Sequence, residues 1–215
     1  MMKEEILKEI LKVGVIAVVR AKSADLAVKI ALAVANGGIK PVEITMTVPG
    51  AMEAIKEVSQ KLVDKVIVGA GTVLDTETAR MAILAGAEFV VSPILNLKVI
   101  ELCKRYSKVI IPGAYTPTEI LTAWERGADI VKVFPATTGG PQYFRDIHGP
   151  LPQIRLLPTG GVTLENAADF IRAGACAIAV GSNLVDKKAV AEGKFEIITE
   201  EAIKFREVVE KARST

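Results

Sequence analysis

Short, continuously apolar runs alternate with amphipathic stretches along the whole chain. Val, Ile, Leu and Ala fill successive positions of each run, which is typical of parallel strands buried on both faces. The predicted strands are Val15–Arg20, Pro41–Met46, Val66–Val73, Phe89–Pro93, Val109–Ala114, Ile130–Phe134, Ile154–Thr159 and Cys176–Val180. The stretches between them repeat apolar residues at helical spacing, so the pattern predicts successive right-handed strand–helix–strand units.

Additional amphipathic helices are predicted at both ends of the chain. The opening helix has one apolar stripe and ends at Gly14. The stripe consists of Ile6, Leu7, Ile10 and Leu11. The C-terminal helix has an inward face made of Phe205, Val208, Val209 and Ala212. We expect this extra C-terminal helix to cover the side or the base of the strand assembly.

A recurring glycine bears on whether these strands form a closed barrel or an open doubly wound sheet. It lies at the helix-to-strand junction before the second, fourth, sixth and eighth strands. The four positions are Gly37, Gly86, Gly127 and Gly174. A glycine there ends a helix in the left-handed conformation, and its recurrence in all four quarters favours closure. We therefore predict an α/β fold, a (β/α)8 TIM barrel, as a single domain over residues 1–215.

Composition and charge narrow the range of partners. Half of the 215 residues are apolar, and 27 basic against 25 acidic side chains leave a net charge of +2. This balance gives no electrostatic basis for binding nucleic acid or an anionic membrane surface. The charged start is unlike a secretion signal, and two cysteines make no disulfide framework, so we expect a cytoplasmic protein. A single histidine argues against a histidine-built metal site, and we predict neither metal nor cofactor.

Lys132 is the side chain least expected in its surroundings. It lies in the apolar run D-I-V-K-V-F-P, where Lys132 and Phe134 share one face of the strand. Burial of an ammonium group lowers its pKa, and only the neutral amine attacks a carbonyl to form a Schiff base. The alternative is a structural lysine that reaches solvent or pairs with an acid. Because the strand is apolar throughout, we favour the Schiff-base role.

Glu43 has a comparable position on the second strand, in P-V-E-I-T-M. With Val42 and Ile44 directed to the helices, Glu43 and Thr45 point into the barrel. A buried carboxylate with a raised pKa is a candidate general acid and base. A plain salt bridge, in which Glu43 and Lys132 only neutralise each other, is the structural alternative and stays open at this point.

Glycines after the last two strands indicate an anion site. Gly160 and Gly161 follow the seventh strand, and Gly181 and Ser182 follow the eighth. Barrels often bind phosphate at these two loops through backbone N–H groups. Tight turns are the alternative explanation for such glycines.

Two polar residues at other strand ends are weaker candidates for anion binding. Arg20 ends the first strand and is suited to a carboxylate or a phosphate, although an arginine facing solvent explains it almost as well. Thr72 lies near the end of the third strand and has a hydroxyl to donate to the same anion. We interpret His148, in D-I-H-G-P, as a loop residue without a catalytic role.

Seven motifs, in order, resemble a known family. They are V-E-I-T at Val42–Thr45, G-A-G-T-V at Gly69–Val73, V-S-P at Val91–Pro93, I-P-G at Ile111–Gly113, K-V-F-P-A at Lys132–Ala136, P-T-G-G-V at Pro158–Val162 and V-G-S at Val180–Ser182. Over essentially its whole length the chain resembles the 2-keto-3-deoxy-6-phosphogluconate (KDPG) and 4-hydroxy-2-oxoglutarate (KHG) aldolases. These are class I enzymes with a small (β/α)8 barrel.

This resemblance implies a role for each candidate residue. Lys132 corresponds to the Schiff-base lysine and Glu43 to the general acid and base. The residues that correspond to the lining of the pyruvyl pocket are Thr72, Pro93 and Phe134. Thr159 matches a position linked to stereochemical control at the new alcohol. The residues that would hold the substrate phosphate are Gly160, Gly161 and Ser182.

One position departs from the pattern of several family members. They place an arginine four residues after the glutamate to bind the pyruvate carboxylate, whereas this chain has Thr47. Arg20 resembles a first-strand arginine of other members, and we expect it to take over this role. The resemblance also implies a homotrimer, since members are typically trimers.

The implied reaction is reversible cleavage of KDPG to pyruvate and glyceraldehyde 3-phosphate, so a small phosphorylated keto acid is the expected partner. Cleavage of KHG to pyruvate and glyoxylate is a second candidate activity. The alternatives are a 2-dehydro-3-deoxy-6-phosphogalactonate aldolase, a phosphate-binding barrel isomerase or synthase, a metal-dependent aldolase, and a non-catalytic sensor of a phosphorylated ligand. Modification of Lys132 by pyruvate and a reductant distinguishes a Schiff-base aldolase from the last three.

Overall fold

Strands and helices alternate along the chain in the computed structural model, which describes residues 2–214. The strands are β1 (Val15–Val19), β2 (Pro41–Thr45), β3 (Ile67–Gly71), β4 (Phe89–Val91), β5 (Val109–Ile111), β6 (Gly113–Ala114), β7 (Val131–Val133), β8 (Leu156–Pro158) and β9 (Ile178–Val180). The helices are α1 (Lys3–Val13), α2 (Ala24–Asn36), α3 (Ala51–Lys61), α4 (Thr76–Leu84), α5 (Leu97–Arg105), α6 (Pro117–Glu125), α7 (Gly140–His148), α8 (Leu164–Arg172), α9 (Lys187–Glu192) and α10 (Phe195–Arg213).

The strands form an α/β fold with parallel, curled β-structure divided into two sheets. The larger sheet has the order β5-β4-β3-β2-β1-β9, and the smaller has the order β6-β7-β8. The predicted fifth strand is interrupted at Pro112, which has no N–H to donate to a ladder. Its carbonyl nevertheless accepts a hydrogen bond from Lys132 N (2.9 Å), and Leu156 O accepts one from Cys176 N (2.9 Å) at the other junction of the sheets.

The inner faces of the curled sheets are apolar at the amino-terminal ends of the strands. Ile6 and Ile10 of α1 pack into this cluster and are almost completely buried. Phe89 is its largest side chain, and its ring lies across Gly69 on the neighbouring strand, where a Cβ would overlap it. Helix α1 therefore covers the base of the strand assembly and leaves the carboxyl ends of the strands open.

Helix α10 covers the side of the assembly, one of the two places predicted for it. It packs between α2 and α8, with Phe205 and Val209 buried. Thr199 Oγ1 donates a hydrogen bond to Ala33 O (2.8 Å), which ties α10 to α2. None of the described helices is both long and apolar enough to span a membrane.

The predicted junction glycines are placed correctly with one exception. Gly86, Gly127 and Gly174 have positive φ angles, as expected for residues that end a helix. At the first junction Gly38 (φ +87°) takes this conformation, whereas Gly37 has φ −79°. The backbone of α10 approaches Gly37 so closely that a Cβ there would lie 2.5 Å from Cβ of Ala202. Gly37 is therefore explained by helix packing rather than by helix termination.

Candidate active site

Lys132 and Glu43 are buried in the same interior, as the alternation along their strands predicts. Lys132 lies in β7 and is 5% exposed, and Glu43 lies in β2 and is 1% exposed. Their charged atoms are farther apart than the 4.0 Å of a direct ion pair. The arrangement therefore lacks the direct contact that a simple neutralising salt bridge requires.

Burial shifts the pKa values of both groups towards their neutral forms. It raises the pKa of Glu43, and the positive charges of Lys132 and Arg20 oppose this shift. It lowers the pKa of Lys132, which the Glu43 carboxylate opposes and Arg20 reinforces. A lysine with a lowered pKa has a larger fraction of neutral amine near neutral pH, and a carboxyl with a raised pKa exchanges protons there more readily.

Two buried oxygens face this region without a hydrogen-bond partner. They are Glu43 Oε2 and Thr159 Oγ1, in residues that are 1% and 7% exposed. A buried polar atom without a partner costs free energy, and such atoms are rare outside functional sites. Both oxygens are therefore available to a bound molecule.

The carboxylate of Glu43 occupies space that is free because residue 71 of β3 is a glycine. Gly71 pairs with Thr45 in the ladder, and a Cβ at Gly71 would overlap Glu43 Oε1. The sequence alone does not indicate that Gly71 leaves space for the Glu43 carboxylate. The only signal was its position in G-A-G-T-V, since proximity between two strands is not visible in the sequence.

Thr72 follows Gly71 and has an unusual backbone conformation. Its φ angle is +58°, in the left-handed region that a β-branched residue rarely occupies. Backbone of this kind costs free energy and is concentrated at ligand sites. Pro93, from the neighbouring strand end, is half-buried, and its backbone lies against Gly113, where a Cβ would overlap it.

The aromatic ring of Phe134 lies over the lysine. Its centroid is 5.3 Å from Lys132 Nζ, and 37% of the residue is exposed at the mouth of the site. The ring restricts the approach of water to the amine from this side and presents an apolar surface to a ligand.

The predicted anion-binding glycines line one cavity of about 140 Å³. Its lining residues are Val18, Arg20, Phe134, Thr159, Gly160, Gly161, Val162, Ala179, Gly181, Ser182 and Asn183. Gly160 and Gly161 both have positive φ angles (+88° and +75°), a conformation that glycine adopts without strain. The cavity thus combines predicted phosphate-loop residues with Arg20, Phe134 and Thr159. Its lining does not include Lys132, Glu43, Thr72 or Pro93.

Asn183 belongs to this cavity and was not predicted from the sequence. Its Nδ2 donates a hydrogen bond to Val162 O (2.7 Å), which fixes the loop after β9 to the loop after β8. A polar residue directly after V-G-S was the only signal for it. The bond holds the two glycine loops at a constant separation.

Arg20 is exposed at the end of β1, and within residues 2–214 it makes neither a hydrogen bond nor an ion pair. It is close enough for its charge to affect Glu43 and Lys132. Thr47 is also exposed, and its hydroxyl is 2.7 Å from that of Thr45. An unpaired guanidinium beside the site is suited to a carboxylate.

His148 is not the loop residue that we expected. It ends helix α7, and its ring nitrogens lie 3.0 Å from Ile154 O and 3.3 Å from Ala173 O. Gly174 leaves space for the ring, because a Cβ there would overlap it. His148 therefore connects three segments away from the candidate site. No cluster of three or more His, Cys, Asp and Glu side chains suited to a metal ion occurs among the described residues.

Comparison with known proteins gives matches over most of the chain. The family model described as KDPG and KHG aldolase matches residues 4–201. A 2-dehydro-3-deoxy-phosphogluconate aldolase of Treponema pallidum is 39% identical over 189 residues, which cover 87% of this chain and 90% of the relative. A 2-dehydro-3-deoxy-6-phosphogalactonate aldolase of Escherichia coli K12 is 36% identical over 174 residues, which cover 80% and 85%.

A solved structure supports the same relationship. The KDPG aldolase of Legionella pneumophila was captured with pyruvate as a covalent carbinolamine intermediate. It superposes with a TM-score of 0.85 at 27% sequence identity, and the match covers 92% of this chain and 96% of that chain.

Proposed function

Because this chain belongs to the KDPG and KHG aldolase family, we propose that it is a class I aldolase that cleaves KDPG to pyruvate and glyceraldehyde 3-phosphate. The observation that carries the proposal is Lys132, an amine buried in an apolar strand whose pKa is lowered by that burial. The names of the Treponema and Legionella relatives support the substrate, and the carbinolamine in the latter supports the chemistry.

The first half of the proposed mechanism forms a Schiff base. The neutral amine of Lys132 attacks the C2 carbonyl of the substrate and gives a carbinolamine. Glu43 supplies a proton to the C2 hydroxyl, which leaves as water, and an iminium ion remains on Lys132. Phe134 covers the lysine and limits the access of bulk water during these steps.

The second half breaks the C3–C4 bond. Ionised Glu43 takes the proton from the C4 hydroxyl, the bond electrons move into the iminium ion, and an enamine and an aldehyde result. Glu43 then returns its proton to C3 of the enamine, and hydrolysis of the resulting iminium ion releases pyruvate. We propose that the reaction needs no metal ion, because the iminium ion itself accepts the electron pair.

Contacts remote from the reacting bond position the substrate. The glycine loops at Gly160, Gly161, Gly181 and Ser182 would hold the phosphate, and Arg20 with Thr72 would hold the C1 carboxylate. Thr159, with its unpartnered hydroxyl, would contact the C4 oxygen and affect which epimer is cleaved. Pro93 would contact the pyruvyl group. Binding both ends of the substrate holds the C3–C4 bond against Glu43 and so contributes to the rate.

The proposal also covers the architecture, the oligomeric state and the cellular location of the protein. We propose that the two sheets are parts of one closed (β/α)8 barrel, since hydrogen bonds join them at both junctions. We further propose that residues 1–215 form a single domain, that the protein is a homotrimer, and that it acts in the cytoplasm.

The galactonate epimer is the second candidate substrate. It is supported by the 36% identity to the E. coli phosphogalactonate aldolase. The ratio of kcat/KM for the two epimers decides between them. The same assay with KHG, which has no phosphate, measures how much phosphate binding by the glycine loops contributes to kcat/KM.

The experiment that tests the function is reductive trapping with pyruvate and borohydride, followed by intact-mass and peptide mass spectrometry. We expect one adduct, located on Lys132. Lys132→Arg keeps the positive charge but cannot form the imine, so it should lose the adduct and aldol cleavage. Lys65→Arg makes the same change at an exposed lysine and should retain both. An adduct that persists in folded Lys132→Arg, or no adduct in the folded wild-type protein, would refute the proposal.

A further inference from the structure

A second cavity lies beside the candidate active site, at the same ends of the strands. Its volume is about 380 Å³, and it is bounded by the segment after β1, the start of α2 and the short helix α9. Thr47, after β2, lines it as well. Of these lining residues, the reaction as described above uses Arg20 alone. A cavity of this size accommodates a ligand of small-molecule dimensions.

The floor of the cavity is apolar. Leu26 of α2, Val185 before α9 and Val190 of α9 all line it, and Val185 is 6% exposed. Three separate segments thus present apolar side chains to the same space. Apolar surface that remains accessible in a concave site favours the binding of an apolar group.

The rim of the cavity is positively charged. Arg20, Lys22 and Lys187 line it, and within the described part of the chain none of them forms an ion pair. No aspartate or glutamate is among the lining residues. Three uncompensated cations above an apolar floor are complementary to a ligand with an anionic head and an apolar tail.

We propose that this cavity binds a small amphiphilic carboxylate, with its head at Arg20 and Lys187 and its tail against Leu26, Val185 and Val190. Among the residues that the structure describes, only Arg20 lines both this cavity and the glycine-lined cavity of the candidate active site. Its guanidinium group cannot serve both ligands fully at the same time. The bound carboxylate therefore weakens the binding of an α-keto acid at Lys132 and acts as an inhibitor.

The first test is direct binding, which does not depend on the proposed aldolase activity. Isothermal titration calorimetry is carried out with octanoate, butyrate and 1-octanol as probes. We expect octanoate to bind, and each methylene that is fully buried should tighten binding by about fourfold. Butyrate should bind far more weakly because its tail is short, and 1-octanol should bind more weakly because it lacks the charge. Equal affinity for all three probes, or no binding of octanoate, overturns the site.

Matched variants test the location of the site. Lys187→Glu reverses one rim charge and should weaken octanoate binding by about tenfold or more. Lys188→Glu makes the same change at the next residue, which does not line the cavity, and should alter the affinity by less than about twofold. Val190→Asp places a carboxylate in the apolar wall and should also abolish binding. Similar affinities in Lys187→Glu and Lys188→Glu would show that octanoate binds elsewhere.

The link to the active site, which rests on the proposed function, is tested separately. Octanoate should reduce the initial rate of borohydride trapping of pyruvate in the wild type and in Lys188→Glu, but not at the same concentration in Lys187→Glu. If octanoate binds yet leaves trapping unchanged, the coupling through Arg20 is wrong although the site stands. If pyruvate is not trapped even without octanoate, the proposed function has failed, and calorimetry still decides whether the cavity binds the carboxylate.

Discussion

The carboxylate of Glu43 occupies space that a side chain at position 71 would fill. Gly71→Ala would make a methyl group overlap Oε1, and the Glu43 carboxylate would have to move. Displacement of a catalytic group by about 1 Å can reduce a rate a hundredfold. We expect kcat for aldol cleavage to fall by about this factor while the protein remains folded, as measured by steady-state kinetics and circular dichroism.

The matched control for this prediction is Gly149→Ala. Gly149 does not have a positive φ angle, and the nearest atom to an added Cβ is 3.5 Å away. This variant should retain kcat within about twofold. Wild-type kinetics in Gly71→Ala would show that Glu43 is not held where the mechanism needs it.

Arg20 affects the protonation of both groups that exchange protons. Its charge lowers the pKa of Lys132 and that of Glu43, so Arg20→Gln should raise both pKa values. The amine is reactive above its pKa, and the carboxylate acts as a base above its own pKa. On acidification, Arg20→Gln should therefore lose activity at a higher pH than the wild type does. The acidic limb of its kcat/KM profile should move to higher pH.

The control for the pH profile is Lys22→Gln. It removes a positive charge from the same rim, but this charge does not contribute to the pKa shift of either group. Its acidic limb should coincide with that of the wild type. A profile for Arg20→Gln that does not move, or that moves to lower pH, would contradict the electrostatic role of Arg20.

Strand alternation was sufficient to predict the burial of Lys132, Glu43 and Thr45, but not that of Ser92 and Thr159. The burial of Lys132 and Glu43 follows from their positions in β7 and β2, because a parallel strand directs alternate side chains to one face. Three other features of the site could not be predicted from the sequence. They are the space that Gly71 leaves for Glu43, the strained backbone of Thr72 and the hydrogen bond of Asn183. Each of these depends on the distance between segments that are remote in sequence.

Among the elements, α1 provides the base of the interior and is separated from the chemistry. Ile10 is fully buried in the apolar cluster below the strand ends that bear Lys132 and Glu43. Ile10→Ala should reduce the free energy of unfolding by about 2–5 kcal/mol, because the strands cannot collapse into the space it leaves. The value of KM should remain unchanged.

Urea unfolding at a single protein concentration measures this effect. Lys8→Ala removes an exposed side chain from the same helix and should change the free energy of unfolding by less than about 0.5 kcal/mol. Equal stabilities of the two variants would mean that α1 does not cover the interior as described.

Element boundaries were predictable where a local signal determines them. Apolar runs located every strand, and Gly14, which has a φ angle of +72°, ends α1 as predicted. The interruption at Pro112 was not predicted, because it arises when the fifth strand changes partner from β4 to β7. The exchange of roles between Gly37 and Gly38 depends on α10, which packs against α2 from the far end of the chain.

At the scale of the whole molecule, the proposed homotrimer and the proposed single domain can each be tested by a measurement. Sedimentation equilibrium should give a mass three times the 22.9 kDa of one chain. A trimer would stabilise the folded chain by mass action, so the unfolding midpoint should then rise with protein concentration. Far-ultraviolet circular dichroism and the fluorescence of Trp124 should follow the same transition. A monomeric mass would contradict the trimer, and two separate transitions would contradict a single domain.

The ring of Phe89 lying across Gly69 limits how the interior can change during evolution or in the laboratory. A larger residue at 69 overlaps the ring, and a smaller residue at 89 leaves an unfilled volume, so each change alone gives a less stable chain. The two changes together restore the volume, and their effects on stability are not additive. The two positions therefore form one epistatic unit, and a mutant library that randomises codon 69 should randomise codon 89 in the same molecules.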